Sequence, residues 1–158
     1  MTINEVKYNI ETSLNRINSI KYKELYNFNY SLIYDEDYLQ EDIKPNLRGD
    51  LKERVELCLD AVKTFERFSP DTGLQSRQFV VHKAYQDRPE LAACLSTIQF
   101  AIRENQIDLF VFARSQNYDS NFDYDNQTYM TILKHLSNLI GIKPGDIHVH
   151  VTSLHRYC

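Results

Sequence analysis

Apolar residues at Ile3, Val6, Ile10, Leu14 and Ile17 recur at the step of an α-helix. Roughly the first twenty residues therefore predict one amphipathic helix. From residue 22 to 46, aromatic and acidic residues mix without a clean period, and the pattern assigns no element there. Helical spacing returns after Asp50, a residue type that caps helix N-termini, with Leu51, Val55, Leu59, Val62 and Phe65 on one face. Ser69-Pro70-Asp71-Thr72-Gly73 has turn chemistry. Residues 77–85 read as a strand. Residues 95–103 and 107–115 predict two more, joined by Glu104-Asn105-Gln106, and so short a polar link makes them an antiparallel hairpin. In the second of these, Ile107, Leu109, Val111 and Ala113 keep the period of two that puts them on one face. Residues 123–140 predict a helix that buries Tyr129, Ile132, Leu133, Leu136 and Ile140 and ends at Gly141. Lys143-Pro144-Gly145-Asp146 reads as a turn, and residues 147–154 as a final strand. The second half is thus strand, strand, strand, helix, strand, which predicts an α+β domain with its sheet covered by helices.

Composition narrows the partners. The 158 residues suffice for one domain with a real core. Net charge is −4 with no run of like charges, so no basic face is expected and a nucleic-acid polymer is not the expected partner. A single nucleotide remains compatible, because one or two arginines hold one phosphate. No apolar stretch reaches bilayer length and the polar N-terminus does not read as a signal peptide, so no membrane contact is expected. Cys58, Cys94 and Cys158 are odd in number and widely spaced, which predicts reduced thiols and a cytoplasmic setting rather than a disulfide frame.

Cys94 carries the most chemistry. A cysteine is the best side-chain nucleophile near neutral pH once its thiolate is favoured, although among Ala92, Ala93 and Leu95 it also fits a small buried apolar residue. Downstream of it the chain carries Gln99-Phe100, then Arg114-Ser115, then Gly141-Ile142-Lys143-Pro144-Gly145-Asp146, then Ser153-Leu154-His155-Arg156-Tyr157. A thiol, a guanidinium, a carboxyl (from a helix beginning near Asp125), an imidazole and a phenol on adjoining elements suit one small anionic ligand.

Taken in this order, these residues resemble the thymidylate synthase family, in particular its branch of phage deoxypyrimidine-nucleotide hydroxymethylases. The likeness covers residues 50–158, and residues 1–49 diverge. It implies a single thymidylate synthase-like domain over residues 1–158, a layered α+β fold with a mostly antiparallel or mixed sheet. It implies a pyrimidine nucleoside monophosphate as substrate and 5,10-methylenetetrahydrofolate as one-carbon donor. By resemblance Cys94 adds to carbon 6 of the base. Arg114 grips the phosphate and favours the thiolate, since a nearby cation stabilises that charge. Ser115 also bonds the phosphate, and His155 and Tyr157 bind the sugar hydroxyl. Arg77 matches an arginine that reaches the partner subunit's phosphate, which implies a homodimer. Asp125 stands where thymidylate synthases carry Asn and cytosine-using hydroxymethylases carry Asp. A carboxyl accepts from cytosine's amino group and, when protonated, donates to the ring nitrogen. The reading is therefore a cytosine nucleotide hydroxymethylase, with a catalytically impaired nucleotide-binding or regulatory protein as the alternative. Asp125 or Asp123 also fits as the N-cap of the adjoining helix.

The sequence departs from the family pattern at several positions. Gln78 replaces a second arginine, Asn117 an acidic substrate-binding residue, Asn121 a glycine near the base, and Ala93 a proline. The family's catalytic glutamate lies in a Glu-Leu-x-Trp setting on a helix, and Lys23-Glu24-Leu25-Tyr26 echoes it. The segment that closes over folate has no counterpart up to Cys158. Outside this constellation, His148 and His150 share a strand face and read as outward histidines rather than zinc ligands. The tyrosines between 22 and 38 read as packing aromatics. The acidic run 118–125 lacks calcium-loop spacing.

Overall fold

A computed structural model describes residues 1–39, 56–57, 60, 63, 80–82 and 94–157. Arg77, Gln78, Ala93, Cys58, Cys158, the turn at 69–73 and most of the expected helix after Asp50 lie outside them. So do the ends of the strand expected at 77–85.

Helix α1 (Ile3–Asn15) forms as its spacing predicts. Thr2 caps it, its hydroxyl accepting from the Glu5 amide while the Glu5 carboxylate accepts from the Thr2 amide at 2.7 Å. Ile3, Val6, Ile10 and Leu14 are buried. The segment without a clean period is strand β1 (Tyr22–Ile33). After β2 (Val80–His82), strands β3 (Leu95–Arg103) and β4 (Gln106–Ala113) form the expected hairpin. Its turn is two residues, Glu104 and Asn105, both at positive φ (48° and 61°), as two-residue hairpin turns require. The short β5 (Gln116–Asn117) leads into helix α2 (Tyr118–Ile140), and β6 (Lys143–Tyr157) closes the described chain.

Two boundaries differ from the sequence expectation. Helix α2 starts at Tyr118 rather than 123, because Asn117 is its N-cap: its side-chain oxygen accepts from the amides of Asp119 (3.0 Å) and Ser120 (3.3 Å). Neither Asp123 nor Asp125 caps it. Residues 143–146 are not a turn but the start of β6, since β4 pairs with them across a register shift. Gly145 allows that approach: a Cβ there would lie 2.1 Å from the Asp108 carboxylate. Asp108 instead accepts from the Asp146 amide at 2.8 Å.

The sheet runs β1-β6-β4-β3-β2, with β5 beside β6. It is mixed: β1–β6, β3–β4 and β2–β3 are antiparallel, while β4 and β5 run parallel to β6. The chain is therefore α+β, with α1 and α2 on one face. Tyr129, Met130, Leu133 and Leu136 of α2 are sealed against Leu109, Val111, Val149 and Val151 of the sheet. Each such side chain contributes about 1.5–3 kcal/mol on burial. Gly141, at φ +76°, ends the helix in the left-handed conformation. Among the described residues no helix is long and apolar enough to cross a membrane.

In β1, β3 and β6, and on passing from β4 to β5, the two-residue rhythm of inward positions slips to three. Leu95 and Ile98 are both inward, as are Ala113 and Gln116, Val151 and Leu154, and Leu25 and Phe28. These levels are neighbours, because Leu95 pairs with Ala113, Ala113 with Val151, and Val151 with Phe28. Ser96 is an extra residue in β3, β4 breaks off at Arg114-Ser115, and Asn27 in β1 sits at φ 50°. A row of irregularities thus crosses the sheet and divides it into a regular part and a shorter terminal part.

Candidate functional site

The terminal part of the sheet carries nearly every described candidate. Cys94 immediately precedes β3, and its thiol is free and half-buried. Its carbonyl accepts from the Arg114 amide at 2.8 Å, so the two residues face each other where β3 and β4 part. Arg114 is exposed and Ser115 half-buried. Beyond them Asn117 pairs with His155, and His155 with Glu24. The His155 and Tyr157 rings meet edge-on at 5.3 Å between centroids. His155 is half-buried, and Tyr157 is 68% exposed. Cys94 and His155 are two strands apart, and because Ala113 pairs with Val151 and Asn117 with His155, His155 also lies about three residues, roughly 10 Å, further along the strands than the Cys94–Arg114 pair.

Each of these groups has local work. Asn117 is the α2 cap, which occupies its side-chain oxygen. Glu24 accepts a hydrogen bond from the Ser153 hydroxyl. That bond and one from Tyr26 hold its carboxyl below the usual carboxylate value. Glu24 lies on a strand, not on the helix that the family resemblance expects. A second Glu-Leu pair, Glu56-Leu57, does have helical backbone and is exposed.

Asp125 is held apart from His155 and Tyr157. It lies in the second turn of α2 and accepts from the Gln116 side-chain amide at 3.1 Å. Gln116 is fully buried and points, like Leu154, toward the helices. The Tyr30 hydroxyl lies 3.3 Å from the Gln116 side-chain oxygen and 3.1 Å from that of Asn126, itself fully buried. Burial raises the Tyr30 hydroxyl far above its ordinary pKa. His155 and Tyr157 alternate with Leu154 and Arg156 along β6 and therefore stand on the other face.

Arg156 is a residue that sequence reasoning missed. Its guanidinium donates to Glu11 of α1 at 2.7 and 2.8 Å, and to Asp119 of α2 at 2.8–3.0 Å. It also lies 4.9 Å from the Tyr118 ring centroid. The hydrogen bonds from Arg156 hold the Glu11 carboxyl below its ordinary value. Burial, with Glu11 beside it, pushes the Tyr118 phenol up to about 12. Its place between two candidate ligand groups was the only signal in the sequence.

The remaining groups are accounted for on the sheet's open face or in packing. The Nδ1 atoms of His148 and His150 lie 2.8 Å from the Ser31 hydroxyl and the Asn29 side-chain oxygen. Their rings lie against Phe110 and Phe112. The tyrosines of the N-terminal segment divide: Tyr30 is buried and Tyr34 and Tyr38 pack on the core, whereas Tyr22 and Tyr26 are exposed, contrary to a uniform packing role. In the acidic run, Asp119 bonds Arg156, and Asp123 pairs with Lys7 and Tyr38. No protein-family model and no curated protein matches this chain.

Proposed function

We propose that the chain is a thymidylate synthase-like transferase that adds a one-carbon unit to carbon 5 of a pyrimidine nucleoside monophosphate, a nucleotide hydroxymethylase. The observation that carries this reading is the row Cys94, Arg114, Asn117, His155, Glu24. They come from four separate stretches of the chain and meet at two neighbouring levels of the sheet, Cys94 facing Arg114 on one and Asn117, His155 and Glu24 side by side on the other. A cysteine and an arginine on facing strand ends, with sugar-binding groups further along the sheet, suit a phosphorylated nucleoside laid across the strand ends.

The chemistry rests on those groups. The Cys94 thiolate adds to carbon 6, the carbon–sulfur bond forms, and the carbon 5–carbon 6 π electrons make carbon 5 nucleophilic. 5,10-Methylenetetrahydrofolate, when bound, would supply the one-carbon unit to carbon 5 and depart as tetrahydrofolate as its bond to that carbon breaks, and water would supply the hydroxyl. Loss of the carbon 5 proton and elimination of the Cys94 thiolate from carbon 6 would restore the aromatic ring. Arg114 holds the phosphate. Proton handling falls to Glu24 beside His155, and Glu24→Gln tests it. Arg77 of a partner copy completes the phosphate grip in a homodimer, in keeping with a cytoplasmic enzyme of nucleotide metabolism.

A second reading, a nucleotide-binding protein without turnover, is favoured by one observation: the Asp125 contact with Gln116 on the helix side of the sheet. Thermal shift with a panel of pyrimidine monophosphates, with and without tetrahydrofolate, tests binding for both. A nucleotide at a hundred times its Kd adds about 2.7 kcal/mol, which raises Tm by roughly 5–10 °C in a domain of this size. Arg114→Gln abolishes the rise and Cys94→Ser keeps it. If no pyrimidine monophosphate raises Tm, both readings fail.

A further inference from the structure

The last turn of the site is held by a residue that touches no ligand on either reading. Arg156 sits between His155 and Tyr157 in β6 and points to the opposite face. There it joins three elements: its own strand, α1 through Glu11, and the first turn of α2 through Asp119. The contacts are paired on each carboxylate, and the Arg156 side chain is only 23% exposed. Two-point pairing fixes the direction of a guanidinium, not only its distance. Because neighbouring side chains on a strand point to opposite faces, fixing the roll of the backbone at 156 fixes it for 155 and 157 as well. Without this anchor the end of β6 keeps only its backbone pairing with Tyr22–Glu24 of β1 and Asn117 of β5.

We infer that Arg156 is a positioning residue: its clamp on Glu11 and Asp119 orients His155 and Tyr157 toward the sugar hydroxyl of the nucleotide. This deepens the nucleotide reading and rests on it. Asn117, the cap of α2, and Asp119, the clamp partner, lie in the same turn. One guanidinium thus ties the start of that helix to the strand end it adjoins.

The test separates the clamp from the ligand. In NMR of the wild-type chain, the His155 ring protons carry a ring-current shift from Tyr157, and those of His148 carry one from Phe110. Arg156→Met moves the His155 protons toward random-coil positions and leaves those of His148 in place, which also shows that the sheet is folded. Arg156→Lys, which keeps the charge but not the two-point geometry, gives an intermediate shift and serves if the methionine variant does not fold. In binding, wild type prefers a pyrimidine monophosphate over its 3′-deoxy analogue by about tenfold, one hydrogen-bonded hydroxyl. In Arg156→Met that preference falls toward one, while the preference for the nucleotide over the unphosphorylated nucleoside is unchanged. Unmoved His155 resonances, or a hydroxyl preference that survives the substitution, overturn the inference. Absence of nucleotide binding in wild type instead overturns the nucleotide reading, and the NMR arm still decides whether Arg156 orients the two rings.

Discussion

Replacing Tyr30 with Phe removes one oxygen from a sealed polar network and should cost about 2 kcal/mol of stability. Tyr30 is 4% exposed, and its hydroxyl faces the side-chain oxygens of Asn126 and Gln116, both fully buried. One hydroxyl proton serves two acceptors, and neither has bulk water to turn to. Losing a net hydrogen bond costs about 1 kcal/mol, and leaving a buried acceptor unmatched costs about 1–3 kcal/mol. The removed hydroxyl's own desolvation offsets part of that sum. In a urea titration with a slope of about 2 kcal/mol/M, the midpoint falls by about 1 M. Tm falls by roughly 4–8 °C. Tyr26→Phe, 71% exposed, is the control and should stay within about 0.5 kcal/mol of wild type. The two variants also differ in base. Tyr30 is held neutral by burial, so it contributes stability that is whole below its unfolded value near 10 and is lost as pH rises beyond it. Tyr30→Phe should lose that part of the alkaline slope. A cost for Tyr30→Phe no larger than for Tyr26→Phe would refute the network as a source of stability.

Gly141→Ala should cost about 1 kcal/mol, because its only burden is a positive φ with nothing within 4 Å of the new Cβ. Gly145→Ala should cost more, about 1–3 kcal/mol, because its Cβ would meet Asp108, Gln106 and the Ile107 carbonyl; paired thermal melts rank the two, and the reverse order would contradict the close packing of β4 on β6. Glu11 is held below its ordinary value of 4.5 by Arg156, so its contribution is present above that pH and is lost as pH falls through its depressed folded value. Glu11→Gln should therefore flatten the acid limb of a stability–pH profile, and an unchanged limb would show that the ion pair contributes nothing in solution.

The regular half of the sheet and both long helices were legible because one period ran through each. Ile107, Leu109, Val111 and Ala113 could only be a half-buried strand, and Ile3 to Leu14 could only be an amphipathic helix. The terminal half was obscured by the three-residue slips. Leu25 to Phe28 breaks the alternation by which strands are recognised, so β1 carries no assignment, and the turn chemistry of Lys143-Pro144-Gly145-Asp146 hides the start of β6. The start of α2 was misplaced because several capping residues compete between 117 and 125, and pairing of β5 with β6 settles which one turns the chain. Candidate residues were found through their chemical types and order, which survive such slips. Their faces were not, because a face is set by the register, and Asp125 and His155 thus stand on different sides of one sheet. Arg156 was invisible for a related reason: its partners, Glu11 and Asp119, are 145 and 37 positions away.

The most direct measurement is exchange of the carbon 5 hydrogen of a pyrimidine monophosphate with solvent, read by NMR after incubation in deuterated water with no folate present. Addition of the Cys94 thiolate to carbon 6 lets carbon 5 take up deuterium, and elimination returns the labelled nucleotide. The wild-type chain should catalyse this exchange with a pyrimidine monophosphate, and Cys94→Ser should catalyse none. Exchange at the same rate by Cys94→Ser, or none by wild type with either base, would contradict a nucleophilic role for this thiol.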